Sequence, residues 1–211
     1  MRIRDLAERI QAFAADRIVL PLITPRKPLP PEVTSWQVIF VGASLTYAWR
    51  IPLVYPNFSI LTAYHFDKSP QIDAAIARRP QAVVIKECAA YFPNNEVNRD
   101  LIELWVDRLK AVNIAPILAT VVPVTRAHAS KHPQRIEEIW AFNDWLGELA
   151  SDRQVTLLDL ERALRISEQD RHLREDLHSG DGLHLKMRTY RNHLDHLIPT
   201  ALLSAHELEL S

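Results

Sequence analysis

Val38-Ile39-Phe40-Val41, followed at once by Gly42-Ala43-Ser44-Leu45-Thr46, decides how this chain folds. A run of four apolar, mostly β-branched residues predicts a short strand buried on both faces. Four further runs repeat the pattern: Phe58-Ser59-Ile60-Leu61, Ala82-Val83-Val84-Ile85, Ile114-Ala115-Pro116-Ile117-Leu118 and Val155-Thr156-Leu157-Leu158. Between them apolar residues fall at helical spacing, in one stripe through Leu101, Leu104, Trp105 and Leu109. A second runs through Ile136, Ile139, Trp140, Asn143 and Leu146. A third passes through Tyr190, Leu194 and Leu197, where Pro199 is set to kink or interrupt the helix. Strands alternating with helices imply an α/β fold, a parallel sheet covered on both sides. Ligands of such sheets gather beyond the carboxyl ends of the strands, near the point where strand order reverses.

Upstream, Ile3, Leu6, Ala7, Ile10, Phe13 and Ala14 recur at helical spacing. They predict an amphipathic helix whose apolar face docks on the core, on a partner or on a second copy of the chain. Pro21, Pro25, Pro28, Pro30 and Pro31 then enforce an extended connection over residues 18–35. The expected organisation is therefore a helix and proline-rich strap at 1–35, packed on one domain at 36–211.

Composition narrows the function. The chain has four glycines in 211 residues, against a usual share of about 7%. A Walker loop or a dinucleotide fingerprint needs glycines clustered as Gly42, Gly147, Gly180 and Gly182 are not. The formal net charge is −1 and no basic stripe dominates a segment, which argues against nucleic acid as a partner. A single cysteine, Cys88, excludes Cys-rich zinc sites and an intramolecular disulfide. No apolar run is long enough to span a membrane, and Asp5, Glu8 and Asp16 break any signal-peptide core. A soluble, cytoplasmic protein is expected.

The turn after the first strand carries Ser44. At that place it either caps a helix or presents a hydroxyl beside helix-start N–H groups, which favour developing negative charge. A second piece is Asp176-Leu177-His178-Ser179-Gly180-Asp181-Gly182-Leu183-His184-Leu185, just before the last helical segment. A carboxylate three residues from an imidazole can fix its tautomer and stabilise its cation. Ser44, His184 and Asp181 thus make a nucleophile, a base and an orienter. The alternative for His178, Asp181 and His184 is metal ligation, which no second ligand cluster supports.

These blocks resemble the SGNH (GDSL-type) hydrolases. Gly42-Ala43-Ser44-Leu45-Thr46 is similar to the family's Gly-Asp-Ser-Leu-Thr, and Asp181-Gly182-Leu183-His184 to its Asp-x-x-His, with Leu185 and Tyr190 following as is common there. Ile117-Leu118-Ala119-Thr120-Val121-Val122-Pro123 and Leu157-Leu158-Asp159-Leu160 resemble its fourth and fifth strands. The resemblance covers roughly residues 36–205. It implies a three-layer, flavodoxin-like fold with a five-stranded parallel sheet. It also implies a cofactor-free and metal-free serine esterase that hydrolyses or transfers the acyl group of a small-molecule ester. The Ser44 backbone N–H would be one oxyanion donor. The family draws others from a glycine after the second strand and an asparagine after the third. Here the second strand leads into Tyr64-His65-Phe66-Asp67-Lys68, and Cys88 and Ala90 stand where Gly and Asn are expected. Asp67, Ala90, Asn94 and Asn95 are the remaining candidates. If none serves, the alternative is a catalytically impaired module that keeps the fold for binding.

Other residues carry two readings each. Lys86 and Glu87 end an apolar strand, either to bind a polar part of a substrate or to pair with neighbours at the sheet edge. Cys88 is a reactive thiol or an inert core residue. His65, His128 and His132 read as surface or loop histidines. Trp36, Trp105, Trp140 and Trp145 read as core, and Trp49, so close to the serine turn, as a possible pocket wall.

Overall fold

A computed structural model describes residues 26–92 and 96–210. The helix expected near the start of the chain lies outside these. Strands β1 (Val38–Gly42), β2 (Phe58–Thr62), β3 (Ala82–Lys86), β4 (Ala115–Ala119) and β5 (Thr156–Leu158) form one sheet. Every pairing is parallel. Their spatial order is β2-β1-β3-β4-β5, so the order reverses between β1 and β3. The chain leaves β1 at this reversal, directly into the Ser44 turn.

All five residues of β1, β3 and β4 are buried, as their continuous apolarity requires. Alternate residues serve opposite faces. Val38 and Phe40 face Leu45 of α1 (Ser44–Ala48), Ile51 and Val54 of α2 (Ile51–Val54) and Ala201 and Leu202 of α9 (Leu197–Leu210). Ile39 and Val41 face Ile72 of α3 (Ser69–Arg78), Ile102 and Trp105 of α4 (Glu96–Lys110) and Ile136 and Ile139 of α6 (Pro133–Asp152). The remaining short helices are α5 (Arg126–Ala129), α7 (Leu160–Leu164) and α8 (Met187–Thr189).

Two expectations need correction. β2 is not covered on both faces: Ser59, Ile60 and Leu61 are half-buried and Thr62 is exposed. It is an edge strand, bonded only to β1 in the sheet. The stripe through Tyr190, Leu194 and Leu197 is not one helix broken at Pro199. After α8 comes a π-helical turn at Tyr190–Leu194, and α9 starts at Leu197. Pro199 is the third residue of α9, within the first turn, where an N–H has no intrahelical acceptor and proline costs little. The interruption falls at Asp195, which is fully buried and accepts hydrogen bonds from Trp49 Nε1 (2.7 Å) and Arg191 Nη1 (2.8 Å).

Lys27 joins this cluster, its ammonium 3.6 Å from Asp195 and 3.0 Å from the Arg191 carbonyl oxygen. The chain then passes a 3-10 turn at Pro31–Val33 and buries Val33 and Trp36 at the foot of the sheet. Among the described residues, no helix is long and apolar enough to cross a membrane.

Candidate active site

Ser44 is the first residue of α1, and the residue before it, Ala43, supplies no side-chain cap. The capping reading of Ser44 is therefore not what the structure shows. Its hydroxyl turns to His184 instead, with Oγ 3.2 Å from Nε2. Gly42 allows the tight exit from β1: a Cβ there would run into Thr46 Oγ1 and sit 3.2 Å from the Lys86 carbonyl oxygen.

His184 Nδ1 is 2.6 Å from Asp181 Oδ2, while Asp181 Oδ1 accepts the backbone N–H groups of Leu183 (2.9 Å) and His184 (2.8 Å). Partial burial pushes the Asp181 carboxyl up, but the His184 ring and the two N–H groups outweigh it and hold it below the usual carboxylate range. The ionised carboxylate accepts the Nδ1 proton, which leaves the Nε2 lone pair facing the Ser44 hydroxyl. Oγ–H can then donate to Nε2. The structure thus brings the three sequence-predicted residues into one line across 140 residues of chain.

His178 shapes the loop that carries them. Its Nδ1 accepts N–H groups from Gly180 (2.9 Å) and Gly182 (3.1 Å), so Nε2 bears the proton and donates to Glu175 Oε2 at 3.2 Å. Both ring nitrogens are occupied, so His178 has no lone pair for a metal. Among the described residues no His, Cys, Asp and Glu cluster could hold a metal ion. Gly180 and Gly182 have φ of +129° and +77°, values L side chains rarely adopt. The loop is anchored from outside, with Thr125 N–H donating to the Gly182 carbonyl (2.9 Å) and His128 Nδ1 3.1 Å from the Asp181 carbonyl. Tyr190 donates its hydroxyl to the Leu45 carbonyl at 3.1 Å and so ties the histidine segment to the serine helix.

The sequence does not mark His178 and His128 for these tasks, because the loop contacts they make, to Gly180 N–H, Gly182 N–H and the Asp181 carbonyl, are to backbone atoms. Trp49 does not wall a pocket: it is buried against Phe40 and Tyr190 and donates to Asp195.

The oxyanion candidates fare differently. Asp67 is exposed, and its side chain accepts the Ser69 N–H (2.8 Å) at the start of α3. Ala90 lies exposed in the 3-10 turn Ala89–Tyr91 and has no side-chain donor. Asn94 and Asn95 lie outside the described residues. Lys86 and Glu87 are both buried. Glu87 pairs with the fully buried Lys68, and Lys86 donates to the Glu87 carbonyl at 3.0 Å. Burial pulls the Lys86 ammonium down to about 8. Cys88 is a half-buried free thiol beside them.

No protein-family model matches the sequence, and no curated protein matches it. Solved structures do. A GDSL-like lipase from Bacteroides thetaiotaomicron superposes with a TM-score of 0.63 at 17% identity, covering 86% of this chain and 92% of its own. A Bacteroides fragilis protein assigned as an acylhydrolase gives 0.62 at 17% identity, over 93% of this chain and 98% of its own. A psychrotrophic esterase from Pseudoalteromonas, solved inhibited by monoethylphosphonate, gives 0.54 at 15% identity over 79% and 97%. With its parallel sheet ordered β2-β1-β3-β4-β5 and helices on both faces, this chain has the SGNH (GDSL-type) hydrolase fold.

Proposed function

We propose that the protein is a serine esterase that cleaves, or transfers, an acyl group through an acyl-enzyme on Ser44. The observation that carries this reading is the hydrogen-bonded line Ser44 Oγ, His184 Nε2 and Nδ1, Asp181 Oδ2, with spacings of 3.2 and 2.6 Å. As Oγ attacks an ester carbonyl, its proton passes to Nε2, and Asp181 stabilises the imidazolium. His184 then gives that proton to the departing alcohol. Water, or an acceptor alcohol, repeats the sequence on the acyl-enzyme and frees Ser44. The Ser44 N–H, at the first position of α1, has no intrahelical acceptor and supplies one oxyanion donor.

The scheme takes a small-molecule ester and calls on no cofactor. The test uses a fluorophosphonate probe, a reagent related to the phosphonate on the Pseudoalteromonas esterase. The expected result is labelling at Ser44 and p-nitrophenyl acetate turnover that falls at least about 10³-fold in Ser44→Ala. A wild-type protein that neither labels nor turns over ester would overturn the reading, as would turnover unchanged in Ser44→Ala.

One observation favours a second reading, a binding module with impaired catalysis: the segment Glu87 to Phe92 contains no side-chain amide. One lost oxyanion donor costs about 10²–10³ in kcat. Labelling of Ser44 without any ester turnover would point there.

A further inference from the structure

The order β2-β1-β3 sends the loops after β2 and β3 out on either side of the Ser44 turn. Their closeness to β1 is direct: Ala63 N–H donates to the Gly42 carbonyl at 2.9 Å, and the Lys86 carbonyl lies against Gly42. From these two loops Lys68 and Glu87 meet as an ion pair, with side-chain exposures of 0% and 1%. The pair thus joins the loops that follow the two strands flanking β1.

Lys68 does more than pair. Its ammonium reaches the carbonyl oxygens of His65 and Phe66, both at 3.4 Å, and stands 5.3 Å from the Tyr91 ring centre and 5.8 Å from that of Trp105. On the other side, Glu87 Oε2 accepts the Cys88 N–H at 3.4 Å. A trans peptide carries its C=O and N–H in opposite directions. With the His65 and Phe66 carbonyls drawn in to the ammonium, the N–H groups of the same two peptides, those of Phe66 and Asp67, are turned away from it. Neither has an acceptor among the described residues.

A buried ion pair is a poor way to hold two loops together. Desolvating both charges offsets most of their attraction, and an apolar pair of similar volume often holds a fold as well or better. What an apolar pair cannot do is draw in two successive carbonyls. We propose that Lys68, held by Glu87, is a positioning residue that turns the Phe66 and Asp67 peptide N–H groups out as oxyanion donors beside Ser44. This rests on the esterase reading above, and it supplies donors that the missing glycine and asparagine do not. The Asp67 contribution is then its backbone, while its carboxylate stays with Ser69.

The test has two arms. In the first, Lys68→Met/Glu87→Leu removes both charges together and leaves no unpaired charge in the core. Its melting temperature should stay at or above that of the wild type. Its kcat for p-nitrophenyl acetate should fall about 10²-fold, as for a misplaced oxyanion donor, with KM changed less than about threefold. A folded double variant with kcat within twofold of the wild type overturns the proposal. In the second arm, NMR of the wild-type protein follows backbone amide protons as the fluorophosphonate adduct forms on Ser44. Downfield shifts at Phe66 and Asp67, alongside Ser44, are expected. A shift at Ser44 with neither loop amide moving overturns the proposal, even should the double variant fail to fold. Failure of the esterase reading looks different: the wild type then neither labels nor turns over ester.

Discussion

Asp181 is where one atom exchange says most about the site. An asparagine there presents an amide N–H to His184 Nδ1, which drives the imidazole proton to Nε2 and removes the lone pair that faces Ser44. Asp181→Asn should lower kcat by about 10²–10⁴-fold with little change in KM, read from steady-state ester hydrolysis. Linkage adds a second signature. The Asp181 carboxyl is held below its unfolded value of 3.8, so its stabilising effect is complete above that value. It fades as pH falls through the lower folded value, and the stability difference between wild type and variant should shrink in strong acid. Lys86 carries the opposite sign. Its folded pKa of about 8 lies below the ordinary 10.5, so the charged form is disfavoured by folding. Lys86→Met should therefore be more stable than the wild type at pH 7, by at most about 3 kcal/mol. That gain should disappear as pH rises from about 8 toward 10.5, which denaturant melts across pH will show. Ser44, Asp181 and His184 were legible because each sits in a short block whose local spacing carries chemical meaning. Lys68 was not. Its partner is 19 residues away on another loop, and a lysine beside Asp67 and Ser69 looks like any solvated helix start.

Helix ends show what scarce glycine does to an element. α6 closes with Val155 N–H bonded to the Ala150 carbonyl (2.9 Å) and Gln154 N–H to that of Ser151 (3.2 Å), a Schellman turn. α4 closes in the same way around Asn113. Such turns favour glycine, yet Gln154 and Asn113 adopt φ of 51° and 56°, and Arg79 after α3 adopts 50°. Asparagine tolerates this region, whereas glutamine and arginine have no such ease. Gln154→Gly should raise stability by about 0.5–1 kcal/mol, after the added flexibility of the unfolded chain is discounted, as chemical denaturation would measure. The bodies of α4 and α6 were legible in their apolar spacing. Their ends were not, since no glycine marks them, and neither was the break at Asp195. That break depends on Trp49 and Arg191 surrounding a carboxylate, which periodicity does not record.

Across the whole molecule, the alternation of strands and helices announced a parallel sheet, and the serine turn fell at its crevice. Strand order was beyond the reach of pattern, because which strand lies beside which is set by long-range pairing and crossover packing. The edge position of β2 followed from that order, and with it the half-exposed face that apolar composition alone did not foresee. The same order has a consequence for the sequence of events during synthesis. β1 and β2 emerge first and pair, then β3, β4 and β5 add in turn on the other side of β1. The Ser44 turn can thus be flanked early, while His184 arrives 140 residues later. On the esterase reading proposed above, a nascent chain on the ribosome would hold a serine already set in its turn but chemically idle until the histidine loop closes over it.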